Sequence, residues 1–544
     1  MQGRNFQTEI EQRLTSRPTV KAALKYEGLL SLLVFVLFWG GLLLSSRTLT
    51  SGYHLIDDWE LLTMSTDLHH SGLLTLTANS VQNDLTIRLR PWFYIQRILT
   101  LWLLGFNMTL LNIQLLVLAV LSSLLLYMFA RSVGFGAINS LLFVFLSFVG
   151  HQTAMWWRLG AAEPIGIFWF ALGLLFMARS INGRDSRTLY TMVSLAGFIL
   201  ASLTKESFLV LLPVISLVWL MLYYRNNEVS ALDTLRACAM PVLTLIIVCI
   251  AGVAMIFLKT GTSSIGYAGF DSQSVTIRTL YQTLKSLALF SNGYWLLILL
   301  AGLAVTLLLS LRKRFQPSLI VELASVALLI LLFTASQVLV YAKSGISERY
   351  LVPATLSLAL LVIYLIAKIE QLVKPQLRLA ISILLLLGTL FSLRVQTATA
   401  WSDAKRYAEE SPPLHRALER INALTESRDV VVLVADPARD YEASIAIREY
   451  LRILFDRKNV FVYPLWAHPE DSYSPFEKKL GKSYEEELAG LHFGRLGDKS
   501  QTKAILTFAN ASTDSAFRQS VPGWFNPAEF DRADFGTFGV YNAR

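Results

Sequence analysis

The sequence predicts an α-helical polytopic membrane protein with about eleven transmembrane helices, followed by an extracytoplasmic α/β domain. Three observations carry this. Of 544 residues, 54% are hydrophobic and 16% charged, whereas a soluble domain keeps about 25% charged; the mean hydropathy is +0.49. Apolar runs of spanning length recur along most of the chain. The composition then changes: residues 397–544 carry 19 Lys and Arg against 22 Asp and Glu, a net charge of −3, leaving +12 for the remainder. Positive charge concentrated in the apolar part suits anchoring loops and anionic headgroups. Nothing in the pattern suggests nucleic acid.

At about 17–25 residues per span, the candidates are 28–46, 107–130, 134–152, 161–178, 188–204, 207–224, 238–258, 293–311, 318–340, 351–372 and 378–396. Residues 1–27 form a cytoplasmic segment and 28–396 the membrane domain. Arg4, Arg13, Arg17, Lys21 and Lys25 precede the first span and place the N-terminus in the cytoplasm. Arg179, Arg184 and Arg187, Arg225 and Arg236, Arg312-Lys313-Arg314, and Lys368, Lys374 and Arg378 then fall on the same side. An odd span count sets residues 397–544 outside. Leu29 to Leu44 reads as a retained helix and not a signal peptide. Cys238 and Cys249 fall within one span, as small core residues without a disulfide framework. No internal repeat is visible, which weighs against a transporter built from inverted repeats.

The first outer loop, 47–106, holds two amphipathic stretches, Trp59–His69 and Pro91–Leu104. The second opens on proline and aromatic residues, as a helix lying in the interface plane does. A second outer loop, 259–292, carries a helical stretch from Thr276 to Phe290. Beyond Pro412-Pro413 the pattern reads as helix 414–424, strand 429–435, helix 440–455, and strands 460–463 and 503–508. This α/β part has no Gly-rich phosphate loop and reads as accessory.

Chemistry concentrates at the outer boundary. His54-Leu55-Ile56-Asp57-Asp58-Trp59-Glu60 follows the first span, and three carboxylates there suit deprotonation of a group whose partner is dissolved in the bilayer. Neighbouring helix residues point about 100° apart, so Asp57 and Asp58 divide two tasks, one accepting a hydroxyl proton and the other holding a metal or orienting the acceptor. A simpler explanation competes: Asp57-x-x-Glu60 also fits a capping box. Arg88, Arg90, Arg158, Lys205 and Arg349 break the rule that outer loops carry few cations. At headgroup level such cations can clamp a phosphate or merely snorkel to lipid. Lys205-Glu206 and Glu348-Arg349 also read as self-neutralising pairs. His54, His69, His70 and His151 are dispersed without metal-ligand spacing. A divalent cation, Mg or Mn, would take acidic ligands, Asp58 first.

The order of these pieces resembles the GT-C superfamily of polytopic glycosyltransferases. It runs from one span to the acidic pair, then Arg90-Pro91-Trp92-Phe93-Tyr94, Leu104-Gly105-Phe106-Asn107, Gly150-His151, Lys205-Glu206-Ser207 and Leu211-Leu212-Pro213. It closes on Ser347-Glu348-Arg349-Tyr350-Leu351-Val352-Pro353, so that the resemblance covers residues 28–396. It implies a polyprenyl-phosphate sugar donor, Asp57 as catalytic base, Asp58 as its partner, and Lys205 and Arg349 near the donor phosphate. Family members often carry Asp-Glu or Glu-Asp where this chain has Asp-Asp, which leaves the division of labour open. Glu60, His151, Glu206, Glu348 and Tyr350 complete the candidate substrate-binding set with Arg88, Arg90 and Arg158. The expected activity moves a sugar to a glycan, lipid or protein acceptor at the outer face of a membrane, a bacterial inner membrane being preferred. A lipid-linked glycan polymerase or ligase, and a non-enzymatic lipid-carrier transporter, are the rival readings.

Overall fold

The computed structural model describes residues 18–86, 88–183, 186–260, 276–287, 301–302, 305, 317–342, 346, 348–372, 375–473, 475–495, 501–508, 513–520 and 522–544. Arg4, Arg13, Arg17, Arg184, Arg312, Lys313, Arg314, Ser347 and Lys374 lie outside them, as does most of the expected span 293–311.

Among the described residues, six helices are long and apolar enough to cross a membrane: Tyr26–Ser45, Met108–Ser132, Glu163–Asn182, Glu206–Asn227, Ala231–Lys259 and Val321–Tyr341. Several turn bare apolar side chains outward, such as Leu33, Leu37, Ile247, Ile250 and Leu331. An apolar face of this extent is stable only against lipid, so the chain is an integral membrane protein.

Three further expected spans are shorter apolar helices: Ala137–Phe148, Arg187–Ser202 and Ala354–Ile369. Each is cut at its outer end, where the chain delivers a polar residue. The first stops before Gly150-His151, the second before Lys205, and the third begins after Arg349-Tyr350. At 1.5 Å per residue, the 12 residues of Ala137–Phe148 rise only about 18 Å and the 16 of Arg187–Ser202 about 24 Å, short of the roughly 30 Å of a bilayer's hydrocarbon core.

The eleventh expected span opens a 50-residue helix, Pro375–Leu424, which continues through Pro412-Pro413. The two prolines remove two backbone donors. Burial outweighs that loss: Leu414, Ala417, Leu418 and Ile421 are fully packed against the C-terminal sheet. Ser411 Oγ donates to the Tyr53 carbonyl at 3.1 Å, tying this helix to the outer loop.

The C-terminal sheet has the order β2-β1-β3-β5-β4. Its strands are β1 (Val430–Ala435), β2 (Val460–Pro464), β3 (Thr502–Phe508), β4 (Phe530–Asp534) and β5 (Phe538–Ala543). β1 runs parallel to β2 and β3, with Val431 opposite Val460 on one side and Ala504 on the other. All six β1 residues are buried, as a central parallel strand covered on both faces requires. β4 and β5 add an antiparallel hairpin that turns through Gly536 at φ +80°. Sequence reading did not find this pair, because the polar, largely exposed β4 lacks an apolar alternation.

The first outer loop folds into three helices, Asp58–Ser71, Leu73–Asp84 and Pro91–Leu104. Within the second, residues 277–287 are helical.

Candidate active site

The site starts from a backbone constraint. Asp57 holds the left-handed conformation, φ 68°, immediately before the helix Asp58–Ser71. That conformation disfavours a residue with a Cβ, and here it turns the side chain away from the helix end. Asp57 makes no side-chain cap bond, so the capping box is not what this carboxylate does. It lies against Gly160, where a Cβ would stand 1.9 Å from the Asp57 Cβ. Only glycine leaves room.

Asp57 Oδ2 accepts from Arg349 Nη1 at 3.0 Å, with the carboxylate a quarter exposed. The buried Arg97 supports the same turn from the helix Pro91–Leu104, donating to the Asp57 carbonyl at 3.1 Å and to Glu60 Oε2 at 2.8 Å. Burial by itself would raise the Asp57 carboxyl. The charges of Arg349, Arg97 and Arg158 prevail and hold it below its ordinary value. Asp57 is therefore ionised at any physiological pH.

Asp58 differs in every respect. It is fully buried, and its Oδ2 accepts the His54 backbone N–H at 2.9 Å. Its other oxygen has no partner. Burial pushes it up to about 8, against the His54 hydrogen bond, with the neighbouring Asp57 charge adding to the rise. Adjacent in sequence, one acid is charged and open while the other is neutral and enclosed. His54 is neutral too, pushed down to about 3 by burial and by the fields of His415 and Arg158.

The rim cations are answered crosswise and not by their sequence neighbours. Lys205 pairs with Glu163, and Glu206 with Arg88 Nε at 3.2 Å. Glu348 pairs with Arg158 at 2.8 Å, leaving Arg349 to Asp57. The Lys205 ammonium also sits 4.3 Å from the centre of the Tyr350 ring, and Arg349 donates to the Tyr350 hydroxyl at 3.4 Å. Arg349 and Arg88 stand close enough for their charges to act on Lys205. Arg349, Arg97 and Arg158 thus act on Asp57, and Lys205 joins Arg349 at the Tyr350 ring, all drawn from segments far apart in the chain.

Two candidates lie in other surroundings. Arg90 is held by Asp84, at 2.6 Å to Oδ1, with Phe93 and Tyr94 against its guanidinium. His151 Nδ1 meets Asp403 Oδ2 at 2.7 Å on the long helix. Among the described residues no three His, Cys, Asp or Glu side chains form a group that could hold a metal ion. Asp58 is enclosed, and one of its oxygens already accepts the His54 N–H.

Sequence reading missed Arg97, Glu163 and a third contributor, Glu442 of the C-terminal domain. Signals existed for the first two. Arg97 is the single charged residue between Arg90 and Arg131, and Glu163 the single acid between Asp84 and Asp185. Isolated charges within apolar runs mark interior positions. Glu442 gave no such signal, being one of many surface acids. Its carboxyl is pushed up to about 7 by burial first and by the Asp57 charge next, so it stands near the site.

No family model matches this sequence, and no curated protein matches it. Among solved structures it is similar to ArnT from Cupriavidus metallidurans in the apo state. The identity is 14%, covering 96% of this chain and 98% of that one, with a TM-score of 0.49. Its similarity to ArnT from Cupriavidus metallidurans bound to undecaprenyl phosphate is 13% identity over 94% and 97%, TM-score 0.49.

Proposed function

We propose that this protein is an integral-membrane inverting glycosyltransferase. It moves a sugar from a polyprenyl-phosphate donor to a cell-envelope glycan, lipid or protein at the outer face of a bacterial plasma membrane. The observation that carries the reading is the Asp57–Arg349 pair, 3.0 Å apart, with Lys205 against the same Tyr350 ring as Arg349.

The chemistry follows from the charge states. The ionised Asp57 accepts the proton of an acceptor hydroxyl as its oxygen bonds to the anomeric carbon. The bond from that carbon to the phosphate oxygen breaks, and polyprenyl phosphate leaves with the electron pair. One displacement inverts the carbon. The leaving group is already anionic and needs no general acid; Arg349 and Lys205 offset the charge growing on it. Arg349 has a double use, holding Asp57 before the donor arrives and turning to the phosphate afterwards. A glycosidase needs two carboxyl groups about 5–9.5 Å apart across the bond. Here the second acid, Asp58, is enclosed and neutral, which suits a transferase with a single base. Its part is to fix the loop through His54.

Purified protein in nanodiscs, given labelled polyprenyl-phosphate sugar and membrane acceptor, should release free polyprenyl phosphate. Asp57→Asn should slow this by roughly 10²–10⁴-fold, in a chain that stays folded by circular dichroism although Arg349 has lost its charged partner. Turnover equal to wild type would remove Asp57 as base.

A further inference from the structure

The C-terminal sheet reverses its strand order where it faces the catalytic loop. From β1 the chain passes through the helix Tyr441–Phe455 to β2 on one side, then crosses to β3 on the other. The switch point lies between β1 and β3, and open α/β sheets bind ligands outside the carboxyl ends of the strands at such a point. A cavity of about 430 Å³ opens there, within the roughly 300–1,000 Å³ usual for ligand sites. Ala438, Arg439 and Asp440 after β1 and Phe508 ending β3 form one wall, and His54, Leu55 and Ile56 of the catalytic loop form another.

The lining suits one kind of ligand. Tyr407, Tyr441, Tyr484 and Phe538 edge the cavity, Tyr407 stacked on His54 and Tyr441 on Tyr484. Asp440 is consumed internally, accepting from the Asp436 N–H and the Thr513 hydroxyl. Glu410 and Glu442 line the cavity, and among the described residues neither has a hydrogen bond or ion pair. The two guanidinium groups of the lining are each held by an acid, Arg158 by Glu348 and Arg439 by Glu477, so the two uncommitted carboxyl groups set its preference, for a ligand rich in hydroxyl or amino donors over an anion. A nucleotide is a poor fit, since Asp436-Pro437-Ala438-Arg439-Asp440 offers no glycine turn for a phosphate.

We propose that this cavity is the acceptor subsite, and that it takes a neutral or amino-bearing saccharide headgroup whose hydroxyl is presented to Asp57. The inference rests on the transferase reading for its role but not for its ligand. Glu410 and Glu442 accept hydrogen bonds from the sugar, and Arg158, which lines the same cavity, acts by its charge on both acids and on Asp57.

Saturation-transfer NMR on the full chain in nanodiscs tests it, with methyl glucosaminide, methyl glucuronide and a short serine-containing peptide as probes. The glucosaminide should receive saturation, and the glucuronide and peptide should not. Glu442→Gln and Glu410→Gln should each weaken glucosaminide binding by roughly tenfold, with labelled-donor binding and the thermal midpoint retained. Equal signals from both sugars, binding of the peptide alone, or glucosaminide binding unmoved in both variants would overturn the proposal. Saccharide binding that survives Asp57→Asn, in a wild type that never releases polyprenyl phosphate, would instead sink the transferase reading and leave the subsite standing.

Discussion

The outer rim of the membrane domain and the surface of the C-terminal domain both carry ion pairs, but of opposite kinds. At the rim the partners are distant in sequence: 292 residues separate Arg349 from Asp57, 118 separate Arg88 from Glu206, and 42 separate Lys205 from Glu163. In the C-terminal domain most pairs are local, as in Lys405 with Glu409, Arg428 with Glu426 and Lys458 with Asp456. Exposed local pairs contribute little. Enclosed long-range pairs cannot lose one member cheaply, because the other is left charged and unpaired. The rim pairs therefore fix where elements meet, and the domain's pairs mostly decorate a fold that the sheet core already specifies.

Removing a rim guanidinium breaks this contrast most strongly. Arg349→Ala is expected to lower the turnover of labelled donor by roughly 10²–10³-fold, and Arg349→Lys to restore only part of it, since a point charge cannot serve Asp57 and phosphate as a planar fork does. A smaller loss should follow from geometry alone. Gly160→Ala places a methyl group where Asp57 lies, and a displaced base is expected to cost about 10²-fold in kcat with KM for donor little changed. A KM effect without a kcat effect would contradict that account.

Asp58 sharpens the comparison through pH. Its folded value of about 8 lies above its ordinary 3.8, so the folded state retains a proton that the unfolded chain gives up. Stability from this group is present in full at acid pH, falls as pH rises between those two values, and is gone above the higher one. The thermal midpoint of wild type should decline from pH 5 to 8, and Asp58→Asn, which keeps the acceptor for the His54 N–H, should flatten that slope. A slope identical in the variant would reject the assignment. At the other extreme, Lys458→Ala removes an exposed local pair and should leave both midpoint and turnover unmoved.

Much of this molecule was legible residue by residue. The run 429–435 reads as a strand, Pro91 opens a helix at its first turn, and Asp57 with Asp58 stands out as an acidic pair at an apolar boundary. The cations Arg88, Arg158, Lys205 and Arg349 were legible as anomalies. Their partners were not. The sequence placed Glu206 beside Lys205 and Glu348 beside Arg349, and the fold paired each with another residue. Helix Leu73–Asp84, helix Pro475–Glu487 and the hairpin β4–β5 were also missed, since their apolar residues are too sparse to mark a period.

What the sequence determined alone is local and compositional: helices of membrane type, an α/β end, and acids and cations at the ends of apolar runs. Hydropathy and periodicity are properties of short windows, so a chain read in order discloses them. Tertiary structure decided which of two adjacent aspartates is charged. Burial and the arrival of Arg349, Arg97 and Arg158 from remote segments set that difference, and electrostatic energy depends on distance through space rather than along the chain.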